Sequence, residues 1–255
     1  MEIITSLDNS SVKEARSLHD KKNRRYYGQF LIEGRKQVLE AIAKNVELEK
    51  IFVDGNKVKD FEKIITSTMA PVLFVSSSVL KSISGTETPQ GIVAVATLPV
   101  ASIYEHKQNN KILVLDKISD PGNMGTIIRS AVATGFTDIF TIECVDAYSP
   151  KVVRSTCGGI YGVNLYPSDY NEVISICKKH KIELLVADMN GQNIYDNFAV
   201  DGDYAIVVGN EGNGVSEELK EAGRLIKLPM KNGMESLNAG VSVSIIMYAL
   251  EGKNL

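Results

Sequence analysis

No stretch of this chain approaches the roughly 20 consecutive apolar residues that span a bilayer. The N-terminus, MEIITSLDNSSVKEAR, has no apolar core behind a basic start, so neither a membrane helix nor a secretion signal is expected. Cysteine and histidine are scarce. Cys144, Cys157 and Cys177 form an odd, unclustered set without C-x-x-C spacing, which reads as reduced core thiols in a cytoplasmic protein. His19, His106 and His180 are scattered, so no metal is expected. Net positive charge is lacking too: 28 Lys and Arg face 31 Asp and Glu, a formal charge of −3.

The distribution of charge matters more than its sum. Between Ser11 and Lys36 lie Lys13, Arg16, Lys21, Lys22, Arg24, Arg25, Arg35 and Lys36, opposed only by Glu14, Asp20 and Glu33. Residues 111–255 carry 13 basic against 18 acidic side chains. An acidic body with a basic N-terminal segment suits contact with phosphate there, although a solvated helix face would carry the same charges.

Length and composition, with 255 residues that are 44% hydrophobic and 23% charged, fit one large or two modest globular domains. Residues 10–20 pattern as a short helix capped by Ser10 or Ser11, and KKNRRYYG (21–28) as a basic, aromatic turn. Strands at 30–34, 50–54, 72–76 and 91–98 alternate with helices at 35–45, 59–68 and 77–83, so residues 1–98 read as a small α/β domain. Residues 99–111 are polar with little periodicity and read as a linker. A second α/β series, 112–255, has strands at 112–116, 138–143, 162–167, 182–188, 204–209 and 224–229, with helices at 125–134 and 237–250. Its near-continuous apolar strands suit a mostly parallel sheet covered on both faces. Ligands of such sheets bind where loops leave the carboxyl ends of strands.

Three such loops carry candidate chemistry. In DKISDPGNMGTIIRS (116–130), Gly122 and Gly125 admit close backbone approach and Asn123 can donate and accept. Arg129 stands about one turn beyond Gly125. An Asn/Gly-rich turn with a surface arginine is the plainer alternative. In VVGNEGNGVS (207–216), Gly209, Gly212 and Gly214 surround Asn210 and Glu211, with neither a GK[ST] ending nor a G-x-G-x-x-G fingerprint. Glu211 fits ribose hydroxyls or a cation better than phosphate, and Ser216 reads as the cap of the helix SEELKEA. In LPMKNGMESLNAG (228–240), Ser236 is a candidate N-cap, while the Met-rich loop before it suits an adenine and a sulfonium.

Asn123, Gly125 and Arg129, then Val208-Gly209-Asn210-Glu211-Gly212, then Leu228-Pro229-Met230 with Ser236-Leu237-Asn238, resemble the three ordered motifs of the SpoU/TrmH family of RNA 2′-O-ribose methyltransferases. Pro150-Lys151-Val152-Val153-Arg154-Ser155 with Gly158-Gly159 is similar to the family's stretch between motifs, and FLIEGRKQVLEA (30–41) to its ribosomal-protein-like substrate-binding domain. One departure stands out: the family often reads Ser-Leu-Asn-Val-Ser, whereas Ala239-Gly240 follow the asparagine here.

The resemblance implies a fold, a cofactor and a set of roles. The C-terminal α/β domain would have a mostly parallel sheet and a deep trefoil knot, preceded by a small α/β RNA-binding domain. The protein would act in the cytoplasm as a homodimer joined through the knotted domain. S-adenosylmethionine would lie against Gly209, Ile226, Leu228, Met230 and Leu237, and the catalytic set would be Asn123, Arg129, Glu211, Ser236 and Asn238. By the resemblance, Arg129 would take the place of the residue the family favours as proton acceptor. Because a guanidinium stays protonated, it can instead bind substrate phosphate and favour ionisation of the hydroxyl. Glu211 is then the only ordinary base in the set, or a partner that orients Asn123 or Arg129. RNA would be gripped by Lys22, Arg24, Arg25 and Arg154, with Tyr26 or Tyr27 stacking on a base. Ribosomal RNA is the expected substrate. The alternatives are a tRNA 2′-O-methyltransferase and a non-catalytic RNA-binding protein on the same fold. A dehydrogenase would need a dinucleotide fingerprint where the chain reads DPGNMG.

Overall fold

The computed structural model describes residues 2–100, 103–196, 198–210, 212–234 and 236–251. It divides into two compact units, Met1–Val100 with Asp146–Tyr161, and Ala101–Val145 with Gly162–Leu255.

The first unit contains α1 (Ser10–Ser17), α2 (Lys21–Tyr27), β1 (Gln29–Glu33), α3 (Arg35–Ala43), β2 (Leu48–Asp54), α4 (Glu62–Ser67), β3 (Val72–Val75), α5 (Ser77–Ile83) and β4 (Ile92–Thr97). The strands form one sheet in the order β1-β4-β2-β3, antiparallel except for β2 with β3. Val12, Ala15 and Leu18 of the α1 region join Val79, Leu80 and Ile83 of α5 over one face of that sheet, where Leu31, Phe52, Val93 and Val95 complete the core. The α1 cap is Asn9, not Ser10 or Ser11: its carboxamide oxygen accepts from Ser11 N and Val12 N at 3.0 and 3.4 Å.

Residues 21–27 form a helix, α2, rather than a turn. Asp20 caps it by accepting from Lys22 N at 2.7 Å, and Gly28, at φ 64°, ends it in the left-handed conformation that favours glycine.

The segment 146–161 forms part of this first unit. It carries α7 (Pro150–Ser155), and Phe30 of β1 meets Tyr148 at 5.1 Å between ring centroids. Two ion pairs hold it: Arg24 with Asp146 at 2.5 Å, and Arg154 with Glu33 at 3.0 Å.

The second unit contains β5 (Lys111–Asp116), α6 (Pro121–Thr134), β6 (Asp138–Ile142), β7 (Asn164–Pro167), α8 (Tyr170–His180), β8 (Glu183–Asn193), β9 (Tyr204–Val208), α9 (Glu217–Ala222), β10 (Arg224–Lys227) and α10 (Ala239–Glu251). Its six strands lie in the order β10-β8-β9-β5-β6-β7, and every pairing is parallel. Val173 and Cys177 of α8 and Leu219 of α9 pack with Ile112, Val114, Phe140 and Val207. On α6 and α10, Ser130 and Ser244 join hydroxyls at 2.7 Å, and Thr134 donates to the Met247 sulfur at 3.4 Å.

Residues 103–110 are anchored rather than loose: Tyr104 packs edge-on against Phe140 and Tyr166, and His106 pairs with Asp203 at 3.1 Å. Of the cysteines, Cys177 is buried and Cys144 half-buried, and burial pushes their thiols up to about 12 and about 11. Cys157 is exposed, which departs from the expected set of core thiols. Among the described residues no helix is long and apolar enough to cross a membrane, and no group of three His, Cys, Asp or Glu could hold a metal ion.

Candidate active site

The site residues stand at the carboxyl ends of β5, β9 and β10. After β5, Asp120 accepts from Asn123 N at 2.8 Å, and Pro121 sits in the first turn, where a missing N–H costs nothing. The helix therefore starts four residues earlier than the expected 125. Gly122, Asn123 and Gly125 belong to it, and Arg129 stands more than two turns in rather than one. Asn123 is buried, and Arg129 is exposed.

After β9, the chain turns back on itself between Gly209 and Val215. Asn210 and Gly214 form a β-bridge, with Gly214 N donating to Asn210 O at 2.8 Å. A Cβ on Gly209 would run into the Gly214 carbonyl, so this position admits only glycine. The Asn210 carboxamide accepts from Gly212 N at 2.8 Å and donates to Lys117 O at 3.2 Å and Ser119 Oγ at 3.3 Å. Glu211 lies outside the described residues.

After β10, Leu228 and Met230 are half-buried, whereas Ser236, Leu237 and Asn238 are exposed. Asn238, not Ser236, caps α10: its side-chain oxygen accepts from Val241 N at 3.2 Å and its carbonyl from Ser242 N at 2.8 Å. The Asn238 amide then donates to Asn123 Oδ1 at 2.7 Å. One side chain thus opens a helix and ties the third loop to the first.

The Ala239-Gly240 departure has a physical reason here. Both residues are buried, and a Cβ on Gly240 would stand 3.1 Å from Thr126 Cβ. The small pair lets the start of α10 close onto α6 one turn before Arg129.

Two other expectations change. Arg24 is 3% exposed; besides Asp146 it donates to Leu18 O at 2.6 Å and His19 O at 2.9 Å. An internal role thus replaces its expected contact with RNA, because its donors already serve the fold. Arg154 is likewise engaged with Glu33, while Lys22, Arg25 and Tyr26 are exposed. Ser216 occupies the α9 cap position without a side-chain capping bond, because its hydroxyl lies 2.8 Å from Tyr170 OH instead.

Sequence reasoning missed Gly191. The pairing of β10 with β8 jumps between Leu225 and Ile226, and a Cβ on Gly191 would strike the Ile226 backbone. Gly191 lies in the polar stretch Asn190-Gly191-Gln192, past the apolar run, so no strand pattern marks it.

Hydrogen bonds therefore join the first loop to both of the others. Exposed Leu237, half-buried Leu228 and Met230 and buried Ile226 form an apolar set that suits an adenosyl group with a sulfonium. The SpoU rRNA Methylase family matches residues 110–248. The chain belongs to this family.

A domain described as an MRM3-like substrate binding domain matches residues 9–94. A 23S rRNA (guanosine(2553)-2′-O)-methyltransferase of Bacillus subtilis is 31% identical, over 99% of this chain and 100% of the relative. A solved RNA 2′-O ribose methyltransferase superposes with a TM-score of 0.86 at 30% identity, covering 100% of each chain. An AdoMet-bound rRNA methyltransferase from Sinorhizobium meliloti superposes with a TM-score of 0.88 at 25% identity, over 100% of this chain and 98% of its own. By its likeness to these structures the C-terminal unit has the family's trefoil-knotted α/β fold; in it β10 is the edge strand beside β8, and α10 packs on α6. The enzyme is an RNA methyltransferase that uses S-adenosylmethionine.

Proposed function

We propose that the enzyme methylates a ribose 2′-hydroxyl of ribosomal RNA in the cytoplasm. The observation that carries this reading is the Asn238–Asn123 hydrogen bond at 2.7 Å, which brings two of the three motif loops to one point. The whole-length relative named as a 23S rRNA 2′-O-methyltransferase supports ribosomal RNA over tRNA.

When bound, S-adenosylmethionine supplies an electrophilic methyl group. Gly209, Ile226, Leu228, Met230 and Leu237 hold it. Asn123 and Asn238, fixed on each other, position the ribose, since orientation supplies much of the rate. Ser236 hydrogen-bonds the ribose or the cofactor carboxylate. The Arg129 guanidinium stabilises negative charge on the attacking oxygen. Glu211 is the ordinary base of the set. Residues 1–98 bind the substrate through Lys22, Arg25 and Tyr26, and 112–255 carry out transfer. The active form is a homodimer through the α6 and α10 region, where Val132, Val241 and Tyr248 remain 39%, 44% and 49% exposed.

Alkaline cleavage of ribosomal RNA from cells with and without the enzyme tests the reading. One added cleavage-resistant position is expected; a methylated base in the nuclease digest would sink it. Arg129→Ala should abolish turnover, a drop of at least about a hundredfold, while S-adenosylmethionine still binds in calorimetry. Equal loss of both would show the role to be misassigned.

A further inference from the structure

Behind the loop that follows β9 lies a polar cluster that the reaction itself does not use. Asp116, the last residue of β5, is fully buried. One of its carboxylate oxygens accepts from Ser216 N at 2.7 Å, and the other accepts from Tyr170 OH at 3.0 Å. The Tyr170 hydroxyl also lies 2.8 Å from Ser216 Oγ. Lys117, held at φ 56°, places its ammonium 5.7 Å from the Tyr170 ring centroid.

A buried carboxylate is costly unless it is hydrogen-bonded, so these donors are what Asp116 needs in order to remain inside. Their positions give the cluster a further consequence. Ser216 ends the 209–216 turn, and Asn210 near its start is tied to Lys117 O and Ser119 Oγ. Both ends of the turn are therefore fastened to residues 116–119, which lead directly into α6 and Asn123. Exposed glycines occupy the middle of the turn, where backbone freedom is greatest.

The geometry points to Asp116 and Tyr170 as positioning residues that clamp the 209–216 turn in its cofactor-binding shape. Neither touches the reacting atoms. The clamp holds the turn in register with the first motif before the cofactor arrives, so the cost of ordering the turn is met in folding rather than at binding. This inference rests on the assignment of the cofactor to Gly209 and Leu237.

The full-length protein tests it through Tyr170→Phe, which keeps the ring and removes the hydroxyl. Calorimetric titration with S-adenosylmethionine should show Kd raised about fivefold, the size of one hydrogen bond. At saturating cofactor kcat should stay within about twofold. Hydrogen exchange in the cofactor-free protein should quicken across 209–216. Asp116→Asn keeps one acceptor oxygen and should retain more affinity than Asp116→Ala.

An unchanged Kd in folded Tyr170→Phe overturns the clamp, and so does a fall in kcat with Kd unaltered. Leu237→Ala in the same titration separates the two ideas. Loss of affinity there but not in Tyr170→Phe removes the clamp alone; retained affinity in both removes the cofactor assignment with it.

Discussion

Arg24 and Arg25 are neighbours in sequence with opposite roles, and the helix explains why. On α2 successive side chains point about 100° apart, so Arg24 faces inward to Asp146 while Arg25 faces solvent with Lys21, Lys22 and Tyr26. Arg24→Met leaves Asp146 without its ion-pair partner and should lower stability by about 3 kcal/mol, measured by denaturant unfolding. Lys22→Ala with Arg25→Ala should leave stability nearly intact, weaken RNA binding and flatten its salt dependence by a slope of about two. Equal RNA affinity at physiological salt in that double variant would remove the basic helix from the substrate path. Charge spacing revealed the basic segment but not which cations were spent internally, because Arg24's partner is 122 residues away in sequence.

Elements were readable wherever an apolar period was long. Every strand of both sheets has its counterpart in the sequence patterns; the central strands β4, β5 and β9 are apolar nearly throughout because both faces are covered. The helices near the site were harder. The α6 start hides in DPGN, where glycine and asparagine imitate a loop, although the Asp120 cap and Pro121 are ordinary start signals. Likewise α8 has a capping Asp169, basic Lys178, Lys179 and His180 in its last turn, and an apolar stripe of Tyr170, Val173, Ile174 and Cys177 against the core, all of which are ordinary helix signals in the sequence. The ordered motifs located the site, yet the Asn123–Asn238 bond spans 115 residues, and no local pattern encodes a pairing so distant. The close crossing of α6 and α10 is open to test at Gly240. Gly240→Val inserts a branched side chain against Thr126 and should cost about 1–3 kcal/mol by overpacking. It should also weaken S-adenosylmethionine binding, because the strained α10 start carries Asn238. A Gly240→Val variant with parent-like melting temperature and cofactor affinity would contradict the crossing.

At the scale of the whole molecule, the first unit is built from two separated stretches of chain, and residues 146–161 complete it. Composition marks a linker at 99–111 but gives no sign that a stretch between two strands of the second sheet belongs with the first. Assembly raises the same question of completeness. On α6 and α10 the inward residues are already buried against each other and the sheet, yet Val132, Val241 and Tyr248 stay exposed on these two helices. Exposed apolar side chains on two packed helices suit an interface, and the proposed two-fold homodimer would bury the same residues from each copy. A charge placed there must be desolvated on association, so Val241→Glu combined with Tyr248→Glu introduces four buried charges per dimer without disturbing either fold core. Sedimentation should show the parent as a dimer and the double variant as a monomer with a melting temperature reduced only by mass-action loss of the partner. Methylation should fall with it if the second copy completes the site. A double variant that sediments like the parent would place the dimer contact elsewhere, and a monomer with full activity would make each copy sufficient alone.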